Sequence, residues 1–203
     1  MISPGLAGRL FGHHIDARLK ILVAITGASG SIYAQRLLDN LDVREHEVHL
    51  VLSRYAQAVI GEELPDGLRV PEGVRQHSLK SMNAPFASGS NPCDVMAIVP
   101  CSMGTLGRIA HGCSDDVLLR AADVTLKERR KLILAPRETP LNLIHVKNME
   151  LLLLAGATII PANPSFYTRP ESIEQVADTV VARILDQMGL RQELVSRWRD
   201  EKE

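Results

Sequence analysis

The feature that most constrains the fold is a series of short apolar segments, each followed by a stretch with helical spacing. Five segments are rich in Val, Ile and Leu: 20–26, 47–53, 95–102, 131–136 and 157–162. A strand that is apolar along its whole length is covered on both faces, which is typical of parallel sheets flanked by helices. The sequence therefore predicts an α/β fold, an open, doubly wound parallel sheet in a flavodoxin-like or Rossmann-like three-layer sandwich with right-handed crossovers.

The stretches between these strands have the spacing of amphipathic helices. The predicted helices lie at about 30–41, 54–63, 103–112, 115–129, 141–156 and 171–188. In the last helix, one apolar stripe is formed by Ile173, Val176, Val180, Ile184 and Met188. Residues 64–94 are rich in Pro, Gly and Ser and are predicted to form the one long irregular stretch, which in a compact domain is usually functional.

Length and composition restrict the class of protein. The chain has 203 residues, of which 45 % are hydrophobic, and we expect a single domain at 20–203 preceded by an extension at 1–19. The formal net charge of -1 and the aromatic content of 3 % argue against a nucleic-acid-binding surface. No apolar run approaches the roughly 20 residues that span a bilayer, which argues against a membrane protein.

Cysteine and histidine usage gives two further expectations. Cys93, Cys101 and Cys113 are odd in number and lack zinc-ligand spacing, which indicates reduced thiols in a cytoplasmic protein. No cluster of His, Cys or acidic residues has the spacing of a metal site, so we expect no catalytic metal. Cys101 follows a proline at a strand end, but no nearby His is placed to activate it, and we expect a small buried residue there.

Ligands of doubly wound sheets bind at the carboxyl ends of the strands. The first four predicted strands are followed by loops 26–30, 53–55, 100–105 and 136–140. The first loop consists of small residues and precedes a helix N-terminus, where N–H groups can hold an anion. The alternative interpretation is a tight turn that packs the helix on the sheet and binds no ligand. Its spacing, Gly27-x-x-Gly30, differs from the dinucleotide fingerprint, and Ser53 ends the second strand in place of an acid. The following Arg54 leaves a phosphorylated dinucleotide open.

The other strand ends are also polar. Ser102, Gly104 and Thr105 form a second strand-to-helix turn, and Arg137 and Glu138 follow the fourth strand. An Arg–Glu pair alone is often a surface ion pair, but three polar strand ends that face one crevice favour a phosphate ligand. A mononucleotide fits better than a dinucleotide, because no separate adenosine pocket can be identified in the sequence.

Five motifs make the chain resemble the flavin prenyltransferase family of the UbiX type, from about residue 20 to residue 189. They are "TGASGSIYAQRLL", "APFASGS", "PCSMGTL", "RAADVTLKERRKLILAPRETPL" and "PSFYTRP". The resemblance implies an enzyme that joins a dimethylallyl group from dimethylallyl phosphate to N5 and C6 of reduced FMN. The product, prenylated FMN, would serve a UbiD-type (de)carboxylase.

The resemblance also implies a homo-oligomer, usually a dodecamer, with sites at subunit boundaries. It leaves open the monophosphate or pyrophosphate form of the donor, the partner decarboxylase, the oligomer size and the roles of 1–19 and 64–94.

The resemblance assigns residues to each part of the site. FMN contacts fall on Gly27, Ala28, Ser29, Ser53, Ser102, Met103, Gly104, Thr105 and Arg137. Contacts to the prenyl phosphate fall on Tyr167 and Arg183, with Ser88, Gly89 and Arg120 as further pocket residues. Lys127 and Glu138 match residues near the transferred group and its leaving phosphate, and Glu63 matches a further acidic residue.

The implied chemistry gives these residues roles. Ionisation of an allylic phosphate without a metal requires donors on the departing oxygens, which Arg183, Lys127 and Tyr167 can supply in a dry site. Glu138 is expected to donate a proton to the leaving phosphate and then to accept one from C6. Ser29 is expected to hydrogen-bond the phosphate or the flavin near N5.

Other interpretations remain open at this point. Without the resemblance, Lys127 lies at a solvated helix end and Arg183 at an exposed helix position. Flavin-dependent cysteine decarboxylases resemble the chain, but they use a His on an early helix, and 54–63 contains none. An FMN-binding carrier subunit of a decarboxylase would need the FMN residues without the full catalytic set. A short-chain dehydrogenase would need a Tyr followed four residues later by Lys, which none of the tyrosines has.

Overall fold

The protein is built around one parallel sheet. Its structure, a computed structural model, describes residues 18–195. The extension predicted at 1–19 therefore lies, except for its last two residues, outside the described residues. The strands are β1 (Lys20–Ile25), β2 (Glu47–Leu52), β3 (Arg75–His77), β4 (Val95–Cys101), β5 (Lys131–Pro136) and β6 (Thr158–Ile159). Their order is β3-β2-β1-β4-β5-β6, which is the order of a Rossmann-type sheet with its switch point between β1 and β4. The predicted fold class is confirmed.

Helices cover both faces of the sheet. They are α1 (Ser31–Asp39), α2 (Ala56–Glu63), α3 (Met103–Ala110), α4 (Val117–Lys127), α5 (Leu143–Leu154) and α6 (Ile173–Met188). The core that contains Val23 includes residues of α1, α2 and α6, and the core that contains Ala24 includes residues of α3, α4 and α5. Successive residues of one strand thus enter different cores, which explains why the strands are apolar throughout.

The stretch 64–94 is only partly irregular, so its prediction was wrong in two places. It contains β3 and a 3₁₀ turn at Pro85–Ala87. β3 pairs with β2, with His77 opposite Val51. The three residues of β3 carry no apolar run, and their pairing with a neighbouring strand makes them a strand where local preference does not.

The apolar stripe of α6 begins later than predicted. Ile173 is 73 % exposed, whereas Val180, Ile184 and Met188 are buried in the core. The helix ends at Gly189, whose φ of 85° lies in the left-handed region that glycine adopts at helix ends.

Candidate active site

Thr26 joins the two loops at the switch point of the sheet. Its hydroxyl donates a hydrogen bond to the Pro100 carbonyl at 2.8 Å and accepts one from the Ser102 N–H at 2.7 Å. The loop after β1 and the loop after β4 are therefore held side by side, as expected of the strands that flank a switch point.

The N-terminus of α3 presents small polar groups. The Ser102 hydroxyl caps the helix by accepting from the Thr105 N–H at 3.3 Å, and it donates to the Thr105 hydroxyl at 3.1 Å. The side chain of Met103 is buried, so only its backbone can face a ligand, and a Cβ added to Gly104 would meet open space. The first N–H groups of a helix lack intrahelical partners and carry partial positive charge. This turn can therefore receive an anion.

The N-terminus of α1, in contrast, holds a carboxylate of the chain itself. Glu63, the last residue of α2, accepts hydrogen bonds from the Gly30 N–H at 2.8 Å and from the Ser31 N–H at 2.7 Å. Burial raises the pKa of Glu63, but the Ser29 hydroxyl and the N–H groups of Ser31 and Gly30 outweigh this effect, and the net pKa lies below the ordinary 4.5. Glu63 is thus an anion at neutral pH, placed where a dinucleotide enzyme holds its pyrophosphate.

Gly27 allows close packing at the first loop. A Cβ at this position would lie 2.5 Å from the Cβ of Tyr55, so any other residue requires the loop to move. Ala28 is buried, so its backbone is the part that a ligand can contact. This glycine serves packing between the loop and the start of α2.

A cavity of about 1060 Å³ lies beside these loops. Four residues predicted to bind FMN line it, namely Gly27, Ser53, Ser102 and Thr105. Arg54, which left a phosphorylated dinucleotide open in the sequence, also lines it. Other lining residues were not predicted from the sequence, among them Tyr55, His77, Lys80 and Arg108. Arg108 had a usable signal, because it follows Thr105 by three residues and so lies on the same face of α3.

Arg137 and Glu138 follow β5 at the same end of the sheet. Arg137 Nε donates a hydrogen bond to the Ser29 carbonyl at 3.1 Å, which ties the loop after β5 to the loop after β1. Glu138 is exposed, and its carboxylate accepts from the N–H of the next residue, Thr139, at 3.1 Å. Burial raises the pKa of Tyr33, and the nearby Arg137 partly offsets this. Arg137, Ser29 and Glu63 are therefore brought together.

A second group of predicted residues lies between α4 and the turn at Pro85–Ala87. Arg120 Nε donates to the Ala87 carbonyl at 3.0 Å, and Arg120 also pairs with Asp123 at 2.7 Å. Lys127 forms an ion pair with Glu128 directly over Gly89, where an added Cβ would collide with both side chains. Ser88 is exposed next to this glycine. Lys127 and Arg120 therefore lie at the two ends of α4 turned toward the same segment, Ala87–Gly89.

A third group lines a smaller cavity of about 240 Å³. Tyr167 and Arg183, the residues predicted to bind the prenyl phosphate, lie there beside Ser165 and Thr179. The Thr179 hydroxyl accepts from the Ser165 N–H at 3.1 Å and so fixes the segment that carries Tyr167. This cavity and the larger one have no lining residue in common. A single chain thus presents the predicted site residues in separate groups.

Neither a cysteine nucleophile nor a metal site is found among the described residues of the candidate site. Burial raises the pKa of the Cys101 thiol to about 12, so the thiol stays protonated and cannot act as a nucleophile. Residues 18–195 contain no group of three or more His, Cys, Asp or Glu side chains that could hold a metal ion. In the same range, no helix is both long and apolar enough to cross a membrane.

Comparison with known proteins identifies the family. Residues 13–185 match the flavoprotein family, a match that begins inside the stretch predicted as an extension. The flavin prenyltransferase UbiX of Thermoplasma acidophilum is 44 % identical over 182 residues, which cover 89 % of this chain and 100 % of that protein.

Two solved structures agree with this result. A UbiX protein crystallised with FMN and dimethylallyl pyrophosphate has a TM-score of 0.84 and 42 % identity, covering 91 % of this chain and 100 % of that chain. A dodecameric FMN-dependent UbiX-like decarboxylase from Escherichia coli O157:H7 has a TM-score of 0.80 and 38 % identity, covering 89 % of this chain and 100 % of that chain. The chain belongs to the flavoprotein family and, within it, to the UbiX-type flavin prenyltransferases.

Proposed function

We propose that this protein transfers a dimethylallyl group from dimethylallyl phosphate to N5 and C6 of reduced FMN. Family membership supports this reaction. The difference between the N-termini of α1 and α3 supports FMN as the ligand. The N-terminus of α1 is filled by Glu63, whereas the N-terminus of α3 faces a large cavity. A ligand with one phosphate fits this arrangement, and a dinucleotide pyrophosphate on α1 does not.

The residues around the large cavity fit FMN. Hydroxyl groups of Ser53, Ser102 and Thr105 line it together with the cation Arg108, and such groups recognise phosphate. The proposed FMN set is completed by backbone groups, the Ser29 hydroxyl and one guanidinium, from Gly27, Ala28, Ser29, Met103, Gly104 and Arg137. Bound reduced FMN supplies the two nucleophilic positions, N5 and C6.

The proposed catalytic residues act on the prenyl phosphate. Lys127, Arg183 and the Tyr167 hydroxyl hold the departing phosphate oxygens, where preorganised donors are most effective once water is excluded. Glu138 donates a proton to the leaving phosphate as the allylic C–O bond breaks, and it accepts the proton that C6 loses on bonding to the prenyl group. The proton lost from N5 is balanced by the one that the prenyl double bond takes up. Ser88, Gly89 and Arg120 line the donor side, with Arg120 fixing the turn through the Ala87 carbonyl.

Ser29 and Glu63 form a separate pair. The Ser29 hydroxyl hydrogen-bonds the anionic Glu63 carboxylate, which orients the hydroxyl at the tip of the first loop. We assign Glu63 the role of holding Ser29 and the start of α1, and Ser29 the contact with the flavin.

We propose that an oligomer brings these groups together. The cavity of Tyr167 and Arg183 is separate from the large cavity within one chain, so residues of neighbouring copies are proposed to complete each site. α5 offers an apolar surface for such contacts, because Leu143, Ile144 and Leu154 are 71 %, 68 % and 81 % exposed. We propose a homo-oligomer, and a dodecamer as its size, since a dodecameric UbiX-like structure is similar to this chain.

Two further parts of the proposal concern the cellular setting. The product is proposed to serve a UbiD-type decarboxylase, which rests on the family resemblance. A cytoplasmic location is proposed because Cys93, Cys101 and Cys113 are all free thiols.

We also propose that the domain comprises residues 20–203. The family match begins at residue 13, which is the alternative start of the domain.

The function is tested by anaerobic incubation with reduced FMN and dimethylallyl phosphate, followed by mass measurement of the released flavin. We expect a flavin heavier by one five-carbon prenyl unit. Glu138→Gln should abolish the product while retaining FMN, and Glu72→Gln, at an exposed loop position outside both cavities, should leave the yield unchanged.

The alternatives give distinct results in the same assay. FMN bound tightly but recovered unchanged with both the monophosphate and the pyrophosphate donor would contradict the transferase and favour a carrier. A product with the pyrophosphate alone would change the donor and keep the reaction. No binding of FMN would contradict the whole proposal.

A further inference from the structure

A buried histidine in β2 is unexplained by the proposed reaction. His49 lies within an apolar strand and is fully buried. It faces the same side of the sheet as Val51, and its ring packs at 5.4 Å between ring centroids against Phe86 of the 3₁₀ turn. A polar group in such a place requires hydrogen-bond partners. The partners of His49 lead from the surface of the protein to the large cavity.

His49 has one partner on each ring nitrogen. Its Nε2 lies 3.1 Å from Glu47 Oε1, and its Nδ1 lies 2.9 Å from His77 Nε2. The same Glu47 oxygen accepts from Arg75 at 3.0 Å. Glu47, His49 and His77 thus form a continuous hydrogen-bonded chain across β2 and β3.

The carboxylate fixes the direction of every hydrogen bond in this chain. A carboxylate only accepts, so His49 carries its proton on Nε2. Burial and the neighbouring His77 lower the pKa of His49, and burial and Arg75 lower the pKa of His77, so both rings are neutral at pH 7. His49 Nδ1 is therefore an acceptor, and His77 Nε2 must carry the proton that it donates.

One nitrogen remains for a ligand. His77 lines the large cavity, and within residues 18–195 its Nδ1 makes no hydrogen bond. A neutral ring protonated at Nε2 has a bare lone pair on Nδ1. The His77 ring, which lines the cavity together with hydroxyl groups and cations, therefore carries an acceptor that no described residue uses.

We propose that the chain Glu47–His49–His77 fixes the tautomer of His77 so that Nδ1 accepts a hydrogen bond from the bound flavin. The donor is a hydroxyl of the sugar-alcohol chain or a ring N–H. His77 is then a ligand-binding residue, and His49 and Glu47 are positioning residues that act through it. This inference rests on the proposed function, because it takes FMN as the occupant of the cavity.

Two substitutions at one position separate ligand binding from a structural role. His77→Gln keeps a donor near Nε2 for His49 and removes the acceptor at Nδ1, whereas His77→Asn keeps an acceptor near Nδ1 and loses the donor to His49. We expect His77→Gln to weaken FMN binding by about fivefold, as for one neutral hydrogen bond, with little change in the Tm of the free protein. His77→Asn should lower the Tm more and the affinity less. His111→Gln, at an exposed position at the end of α3, is the matched control.

Two flavin analogues locate the donor. If a hydroxyl is the donor, His77→Gln weakens binding of riboflavin but leaves lumiflavin, which has no sugar-alcohol chain, unaffected. If a ring N–H is the donor, both analogues lose affinity.

A measurement on the unaltered protein serves if a variant does not fold. Two-bond ¹H–¹⁵N correlation spectra report which nitrogen of each histidine is protonated. We expect both His49 and His77 to be Nε2–H tautomers, and the Nδ1 resonance of His77 to shift when FMN is added.

Defined results would overturn the inference. These are FMN binding by His77→Gln as tight as that of the wild type, or a proton on His77 Nδ1 in the free protein. If the wild type itself does not bind FMN, the proposed function fails and this inference fails with it. If the wild type binds and His77→Gln binds equally well, only this inference fails.

Discussion

Replacement of Glu63 by Ala tests the interpretation of the α1 N-terminus. The substitution removes the carboxylate that accepts from the Gly30 and Ser31 N–H groups at 2.8 and 2.7 Å. Loss of a side chain that caps a helix costs about 0.5–2 kcal/mol. Because Glu63 is only half-buried, we expect a cost near the middle of this range, a fall of about 1 kcal/mol in the free energy of unfolding.

Urea unfolding at matched protein concentration measures this effect. For a chain of this length, about 1 kcal/mol corresponds to a fall in Tm of roughly 2–4 °C. Glu62→Ala is the control, since this exposed neighbour lies on the same helix and makes no side-chain hydrogen bond or ion pair in the described residues. Equal unfolding midpoints for the Glu63→Ala and Glu62→Ala proteins would show that the carboxylate does not hold α1.

The pH dependence of the free energy of unfolding tests whether Glu63 is an anion when it holds α1. The pKa of Glu63 is lowered in the folded protein, so its contribution is present above the ordinary value of 4.5 and is lost as the pH falls through the folded pKa. The difference in unfolding free energy between wild type and Glu63→Gln should therefore be largest near neutral pH and shrink below pH 4.5. A difference that grows in acid would contradict an anionic Glu63.

Three further tests address other parts of the structure. Gly27→Ala should lower FMN affinity at least tenfold in fluorescence titration, because its Cβ requires the loop to move, whereas Gly61→Ala, with nothing within 4 Å, should bind normally. Ser102→Ala and Ser172→Ala each remove a helix cap and should each cost about 1 kcal/mol in urea unfolding, but only Ser102→Ala should weaken FMN binding. Leu154→Glu should reduce the oligomer mass in sedimentation, since this side chain is 81 % exposed on α5; an unchanged mass would exclude α5 from the contacts.

The sheet and its helices could be predicted because apolar residues recur in them in regular patterns, as continuous runs in the strands and at helical spacing in the helices. β1, β2, β4 and β5 are predominantly apolar, and the observed strands begin at the predicted residues. β3 could not be predicted, because its residues Arg75, Gln76 and His77 have no strand pattern and are ordered by pairing with β2. Local sequence carries no information about which partner a short polar segment will find.

The candidate site could likewise be predicted only in part. The loops that hold Ser53, Ser102 and Arg137 could be placed, because parallel strands end at one edge of the sheet. The contact between Glu63 and α1 could not be derived from spacing, since α1 and α2 are separated by a strand and meet only in three dimensions. His49 had a signal that was not used, a polar residue inside an otherwise apolar strand.

The carboxylate of Glu63 also affects how the loop after β1 meets its ligand. In a dinucleotide enzyme the bound phosphates help to order the corresponding turn, whereas here folding alone places an anion against Gly30 and Ser31. The loop is therefore preorganised, and little conformational entropy remains to be lost when a flavin binds. The Gly30 and Ser31 N–H groups, which Glu63 already holds, should accordingly show the same hydrogen-exchange protection in the free protein as in the flavin complex.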